Sequence, residues 1–380
     1  MTSMRPLRVA LIGLARFGIA EPYAGGMEAH TATLARALQG AGHSVTVFAG
    51  PATAPAPDDL HVVPIIDREP DMAGSSRIDN AMVPGRAEDE IDGYRRVLEA
   101  IATSDFDVVH NASLHPLPVT QRLNVPVLHA LHTPPFPELL DAHEERLRLE
   151  DIPSTVSAVS ATLAAQWTLI EATVIRNGID LRAWSPLPVA EKHRTGAVWA
   201  GRIVPEKGLH LAIEAANAAG MELTIAGPVM DRRYFSDMVE HRLGGTVRWA
   251  GHLPTSKLKV IYSCAEVGLV TPMWDEPFGL VAAEMLACGL PVAGFDRGAI
   301  ASIVSTDVGR LVKTEDTNAL AAAIVEASLL DCRRCRHHAT RHLSVDAMAQ
   351  RYVDLYRRLM AAPTPDHASR WVAESRVDAE

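Results

Sequence analysis

A chain of 380 residues exceeds what one ordinary domain of roughly 100 to 200 residues holds, so two domains are expected, each with a core of its own. Apolar residues make up 48% and charged residues 22%, with 25 Gly and 25 Pro spread along the chain, which excludes disorder along its whole length. A formal charge of −10 excludes a broad basic field for nucleic acid, so any phosphate must be gripped locally.

The opening run LRVALIG reads as a buried strand. It has a passing likeness to a signal peptide, but the apolar stretch from Val9 to Ala15 is short, meets Arg16 and lacks a small-residue cleavage site. No run approaches the ~18 apolar residues that cross a bilayer, so no transmembrane segment is expected. The four cysteines, Cys264, Cys288, Cys332 and Cys335, are too few and too bunched to staple a secreted scaffold, and the cytoplasm is the expected compartment.

After the first strand come a Gly-bearing loop (EPYAGGMEAH), a helix to about Gln39 and the strand HSVTVFAG, a β-α-β unit. The polar stretch from Asp67 to Asp92 predicts a long loop ahead of the helix GYRRVLEAI. Strand-like runs recur at DVVHNAS, PVLHALH and TVSAVS, and the first domain, residues 1–184, ends near Trp184. SPLPVAEKHRTG reads as the linker. A second domain, 185–344, then alternates afresh from AVWAGRI through LHLAIEAANAA, ELTIAG, VRWAG, VGLVTP, LVAAEMLACG and PVAGF to LAAAIVEASLL. The amphipathic segment 345–361 is long enough to pack back on the first domain, and 362–380 reads as a loosely ordered tail. The fold class is α/β, two Rossmann-like doubly wound parallel sheets.

In open sheets of this kind ligands collect where strand ends feed helix N-termini. Gly25 and Gly26 fall there, and their pattern fits either a turn pair or a loop that brings backbone N–H groups to an anion. GRIVPEKG places Arg202 and Lys207 after the first strand of the second domain, where two cations would neutralise a pyrophosphate. In EPFGLVAAE, Glu276 precedes a helix and Glu284 lies about two turns along it in an otherwise apolar stretch, where a buried carboxylate needs a partner. Sugar hydroxyls would serve, and the N–H groups around Phe278 to Val281 would meet phosphate. His110 and His132 each end a strand and are expected to face the same crevice.

Two other signals are set aside. Asp105-Phe106-Asp107 precedes its strand, at the amino end of the sheet and away from the crevice, so it is not assigned a metal. CRRCRHHATRH lacks a distant second ligand pair and reads as a surface helix, not a zinc site.

Taken in order, AEPYAGGMEAHTATLARAL, LHTPP, NGID, GRIVPEKG and WDEPFGLVAAEMLACGLPV resemble the family-four retaining glycosyltransferases over nearly the whole chain. The resemblance implies a GT-B fold, two domains facing each other across a cleft, and transfer of a hexose-type sugar from a nucleotide diphosphate donor, a UDP-sugar being favoured over GDP and ADP. It implies no cofactor and no metal. It places Gly25 and Gly26 at the donor phosphates, His132 on the donor sugar, and Arg202 and Lys207 on the diphosphate. Glu276 would bind sugar hydroxyls and Glu284 those of the ribose, with Phe278, Gly279 and Leu280 completing the site. Arg176 stands where the family commonly has proline.

The donor base depends on the loop from Gly251 to Lys257. The acceptor is expected to be read by the first domain, notably Asp67 to Asp92, and ranges over saccharides, small metabolites, a pterin-like heterocycle and lipid-linked sugars. A non-catalytic nucleotide-sugar-binding protein is the alternative, against which intact His132 and Glu276 stand. A dinucleotide-dependent oxidoreductase is disfavoured because Gly13 is not followed by G-x-G-x-x-G spacing.

Overall fold

Runs rich in Val, Ile, Leu and Ala become strands covered on both faces, as parallel sheets between helices require. The computed structural model describes residues 5–51, 57–67, 87–149, 153–189, 193–313 and 315–362. The first sheet holds β1 (Arg8–Ile12), β2 (Ser44–Ala49), β3 (His61–Pro64), β4 (Val108–Asn111), β5 (Val127–Leu131), β6 (Ser154–Ala158) and β7 (Ala172–Val174) in the order β3-β2-β1-β4-β5-β6-β7. The second holds β8 (Ala197–Ala200), β9 (Leu223–Ala226), β10 (Val247–Trp249), β11 (Val267–Val270), β12 (Val292–Phe295) and β13 (Gly309–Val312) in the order β10-β9-β8-β11-β12-β13. Every pairing between these strands is parallel. The chain is thus the pair of doubly wound domains that its alternation predicts.

The strand order reverses between β1 and β4 in the first sheet, where Ile12 pairs with Asn111, and between β8 and β11 in the second, where Leu269 pairs with Trp199. Chain leaving the carboxyl ends of these four strands has to splay apart, which opens a crevice in each domain. The two crevices face each other. An apolar cluster continues from Leu131 and Trp167 of the first domain through Trp184 to Tyr262 and Leu286 of the second. Trp184 stacks on Tyr262 with ring centroids 5.6 Å apart, so the hinge is packed as a core is packed.

The helix expected from Gly93 begins earlier, at Ala87. Glu88, Asp89 and Glu90 fill its first turn, where carboxylates suit the positive end of the helix dipole, so these polar residues open the helix instead of closing a loop. The rest of the expected loop, 68–86, lies outside the described residues, as does the tail from 363 onward. The helix Val345–Ala361 returns to the first domain, burying Met348, Tyr352, Val353, Tyr356 and Leu359 in the cluster that holds Leu34, Leu38 and Val108.

Asp105 and Asp107 sit ahead of β4, where Asp107 accepts from the Arg8 backbone N–H at 2.7 Å and Arg5 Nη2 at 2.8 Å, and Asp105 pairs with Arg8. CRRCRHHATRH is the helix Cys332–His342, with Cys335 and Ala339 buried. Among the described residues no group of three or more His, Cys, Asp or Glu is placed to hold a metal ion, and no helix is long and apolar enough to cross a membrane.

Candidate active site

A cavity of about 270 Å³ lies between the two switch points, walled by both domains. On the second-domain side, β8 runs into Gly201 and Arg202, and the turn Pro205–Lys207 delivers Lys207 to the cavity. Gly208 then turns the chain with φ 62°, and a Cβ there would lie 2.2 Å from the Thr271 carbonyl oxygen, so no other residue fits. The Thr271 hydroxyl contacts the Lys207 and Gly208 carbonyls at 3.0 and 3.1 Å, while Trp199 Nε1 donates to it at 3.1 Å. These bonds tie the lysine-bearing turn to the end of β11.

Lys207 Nζ lies 2.7 Å from Glu276 Oε2, and Trp274 Nε1 donates to the same oxygen at 2.9 Å. The Lys207 ammonium also sits 5.1 Å from the Trp274 ring centroid, a cation–π contact. Glu276 and Lys207 therefore form one fixed ion pair in the cavity wall.

Three residues on, Gly279 adopts φ 100°, where a Cβ would strike Ile300 Cδ1 at 2.6 Å, and the helix Leu280–Ala287 begins with no side chain capping it. Its first amides and the positive end of its dipole are left for a ligand of opposite charge. Glu284 stands one turn inside this helix, not the two expected, because the chain around Phe278 and Gly279 forms the N-cap turn and the helix starts only at Leu280. Burial pushes its carboxyl up to about 8, and among the described residues it has no hydrogen-bond partner. Tyr262, also in the wall, has a buried hydroxyl that is likewise unpartnered.

The first-domain side is built from the start of the helix Gly26–Gly40, again without a side-chain cap, and from His132 just past β5. Gly25 and Gly26 bring this helix close to the opposite wall. A Cβ on Gly26 would meet Leu280 Cδ1 at 3.1 Å, and one on Gly25 would lie 3.8 Å from Arg202 Cδ. His30, one turn into the helix, packs its ring 4.9 Å from that of His132. Both are buried, and both have ring nitrogens without partners among the described residues. Burial holds His132 down to about 4, and burial followed by the neighbouring His132 and His110 holds His30 well below the usual imidazole range, so both rings are neutral at pH 7.

The residues 24–183 match the family model Glycosyltransferase Family 4, and 189–341 match Glycosyl transferases group 1. The chain belongs to the family-four glycosyltransferases. A phosphatidyl-myo-inositol mannosyltransferase of Mycolicibacterium smegmatis is 27% identical to it over 341 residues, 82% of this chain and 84% of that protein. A glycogen synthase of Mycobacterium tuberculosis is 36% identical over 173 residues, 43% of this chain and 41% of the synthase, so the match spans less than half of that relative. Among solved structures, Anabaena HepE in complex with UDP-glucose superposes with a TM-score of 0.68 at 16% identity, covering 92% of this chain and 99% of that one, a likeness of fold. The fold of this family-four member is GT-B, as the resemblance implies.

Of the residues singled out from the sequence, Gly25, Gly26, His132, Arg202, Lys207, Glu276, Phe278, Gly279, Leu280 and Glu284 all line the cavity of this glycosyltransferase. His110 does not. It is fully buried in β4 beneath the helix Val345–Ala361, with Nδ1 2.7 Å from the Tyr356 hydroxyl and its ring edge-on to Tyr352 and Tyr356. Burial in that packing drives its pKa down to about 3. The expectation that it faces the crevice fails because its side chain projects toward a helix that arrives from the far end of the sequence.

Sequence reasoning did not assign His30, Tyr262 or Trp274. His30 was detectable, since it follows Gly26 by four residues and so shares its helix face. Trp274 and Tyr262 carried no local signal. Two bonds join the domains beside the cavity: His252 Nε2 donates to the Tyr23 carbonyl at 2.9 Å and the Thr255 hydroxyl to Glu21 Oε1 at 2.6 Å. The Asp180 carboxylate accepts from the Arg182 and Ala183 N–H groups at the hinge. Arg176, the departure from the family pattern, reaches across to the Ser302 carbonyl.

Proposed function

We infer that this chain is a retaining glycosyltransferase that moves a hexose-type sugar from a nucleotide diphosphate donor, a UDP-sugar by preference, to an acceptor bound by the first domain. The observation that carries the reading is the convergence of Arg202, Lys207 and the uncapped start of the helix Leu280–Ala287 on one cavity that also holds Glu276 and Glu284. Cations and amide dipoles on one wall suit a diphosphate, and carboxylates beside them suit sugar and ribose hydroxyls.

In the proposed reaction the bond from the anomeric carbon to the diphosphate oxygen breaks, and negative charge grows on the leaving group while the sugar becomes oxocarbenium-like. Lys207, Arg202 and the helix amides lower the energy of that charge without a divalent cation; removing one such donor typically costs about 100 to 1000-fold in turnover. The acceptor oxygen attacks from the face the diphosphate leaves, and its proton passes to the departing phosphate oxygen, so anomeric configuration is kept. His132 and Glu276 hold the sugar during this exchange. The UDP-glucose bound by Anabaena HepE supports the choice of base, and the mannosyltransferase likeness adds an inositol-type polyol to the candidate acceptors.

The test is a panel of UDP-, GDP- and ADP-sugars, scored first by thermal stabilisation and then by donor hydrolysis or transfer. A ligand at ~100 times its dissociation constant adds ~2.7 kcal/mol. Glu276→Ala is expected to keep nucleotide binding and lose at least about 100-fold in turnover. Stabilisation by no nucleotide sugar, or full activity in that variant, contradicts the reading. A non-catalytic binding protein would show stabilisation with neither hydrolysis nor transfer for any acceptor class.

A further inference from the structure

Trp274 touches both charges of the Lys207–Glu276 pair by different parts of one indole. Its ring N–H donates to Glu276 Oε2 at 2.9 Å, and its face lies 5.1 Å from the Lys207 ammonium. Because Lys207 Nζ already approaches the same Oε2 at 2.7 Å, that oxygen is saturated, and Oε1 is the one left to accept from a ligand. The backbone on both sides of the indole is fixed. Met273 N–H donates to the Glu206 carbonyl at 2.8 Å, Arg297 Nη2 to the Met273 carbonyl at 3.0 Å, and Ala299 N–H to the Glu276 carbonyl at 2.8 Å.

A diphosphate in the cavity competes with Glu276 for the lysine, since one ammonium serves both. If Lys207 were the sole partner, its movement would free the carboxylate to swing. The indole N–H prevents this. We propose that Trp274 is a positioning residue that sets the sugar selectivity of the donor site, holding Glu276 Oε1 toward a hydroxyl of the transferred sugar while Lys207 is drawn to the phosphate. This rests on the donor-site reading above.

The experiment is calorimetric binding by the full chain of UDP-glucose, GDP-mannose and ADP-glucose, each compared with its bare diphosphate. Trp274→Phe keeps a ring face under the ammonium and removes the N–H. Losing a hydrogen bond to a charged group, it is expected to weaken the sugar nucleotide about tenfold and the bare diphosphate less than about twofold. Trp274→His returns a ring N–H and is expected to recover part of the loss. Should the Phe variant not fold, Trp274→His against Trp274→Tyr gives the same contrast of ring N–H present and absent. Equal weakening of both ligands, or of neither, overturns the role of Trp274 and leaves the donor site standing. If the wild type binds bare diphosphates and no sugar nucleotide, the donor-site reading and this inference fall together.

Discussion

Glu284 is where burial and charge conflict most directly. A carboxyl in the cavity wall that burial holds up to about 8 carries its proton at neutral pH. Hydroxyl donors from a ribose would favour the ionised form, so nucleotide binding at pH 7 has to expel that proton. Affinity is therefore expected to rise with pH up to about 8, by at most about tenfold per pH unit, and then to level off. Calorimetry at pH 7 in buffers of different ionisation enthalpy measures the proton directly. Glu284→Gln, which has none to lose, is expected to abolish the buffer dependence, and heats that do not vary with buffer in the wild type contradict the assignment.

Among the helices, Cys332–His342 illustrates how a segment with unpromising composition becomes structural. Its basic residues suggested a solvated face, yet Arg336 turns inward and donates to the Trp184 and Ala287 carbonyls at 3.0 and 2.6 Å and to the Leu181 carbonyl at 2.7 Å. One guanidinium thus satisfies the last carbonyl of the helix Leu280–Ala287 and two from the hinge, a task that needs the five donors of arginine. Arg336→Met removes all three bonds and leaves the Trp184 carbonyl only the weak Cys288 thiol donor. It is expected to destabilise the chain by about 2 to 4 kcal/mol, read as a lower urea midpoint. Arg336→Lys, which supplies a donor of the wrong shape, should recover little of this.

At the scale of the whole molecule, the first domain buries six imidazoles among the described residues, His30, His43, His110, His129, His132 and His143, most of them beside another aromatic or imidazole ring. Burial is the first cause in each case, holding His110 to about 3 and His132 and His143 to about 4, pushing His30 and His129 well below the usual range and lowering His43. The folded values lie beneath the unfolded value of about 6.5, so between roughly pH 6.5 and 4 the unfolded chain binds protons that the folded chain refuses. Stability present above that window is lost as pH falls through it, on the order of 1.4 kcal/mol per pH unit for each histidine. Glu284, shifted upward, works in the opposite sense and is a single group against six. The thermal midpoint is expected to drop steeply below pH 6.5, and a flat profile from 6.5 to 5 would contradict the account.

The two doubly wound domains were legible because strand and helix periods are local, and two sheets follow once buried runs alternate with amphipathic ones. The placement of Gly25, Gly26, Arg202, Lys207 and Glu276 was legible for a related reason: topology sends residues after β1, β8 and β11 to one crevice whatever their neighbours are. Tertiary structure alone decided that His110 lies under Tyr356, 246 positions away, and that Trp274 shares one carboxylate oxygen with Lys207. It also decided that Glu284 keeps a proton. These depend on which side chains distant stretches of chain bring within a few ångströms, and on how much water they exclude, quantities that no local pattern of residue types encodes.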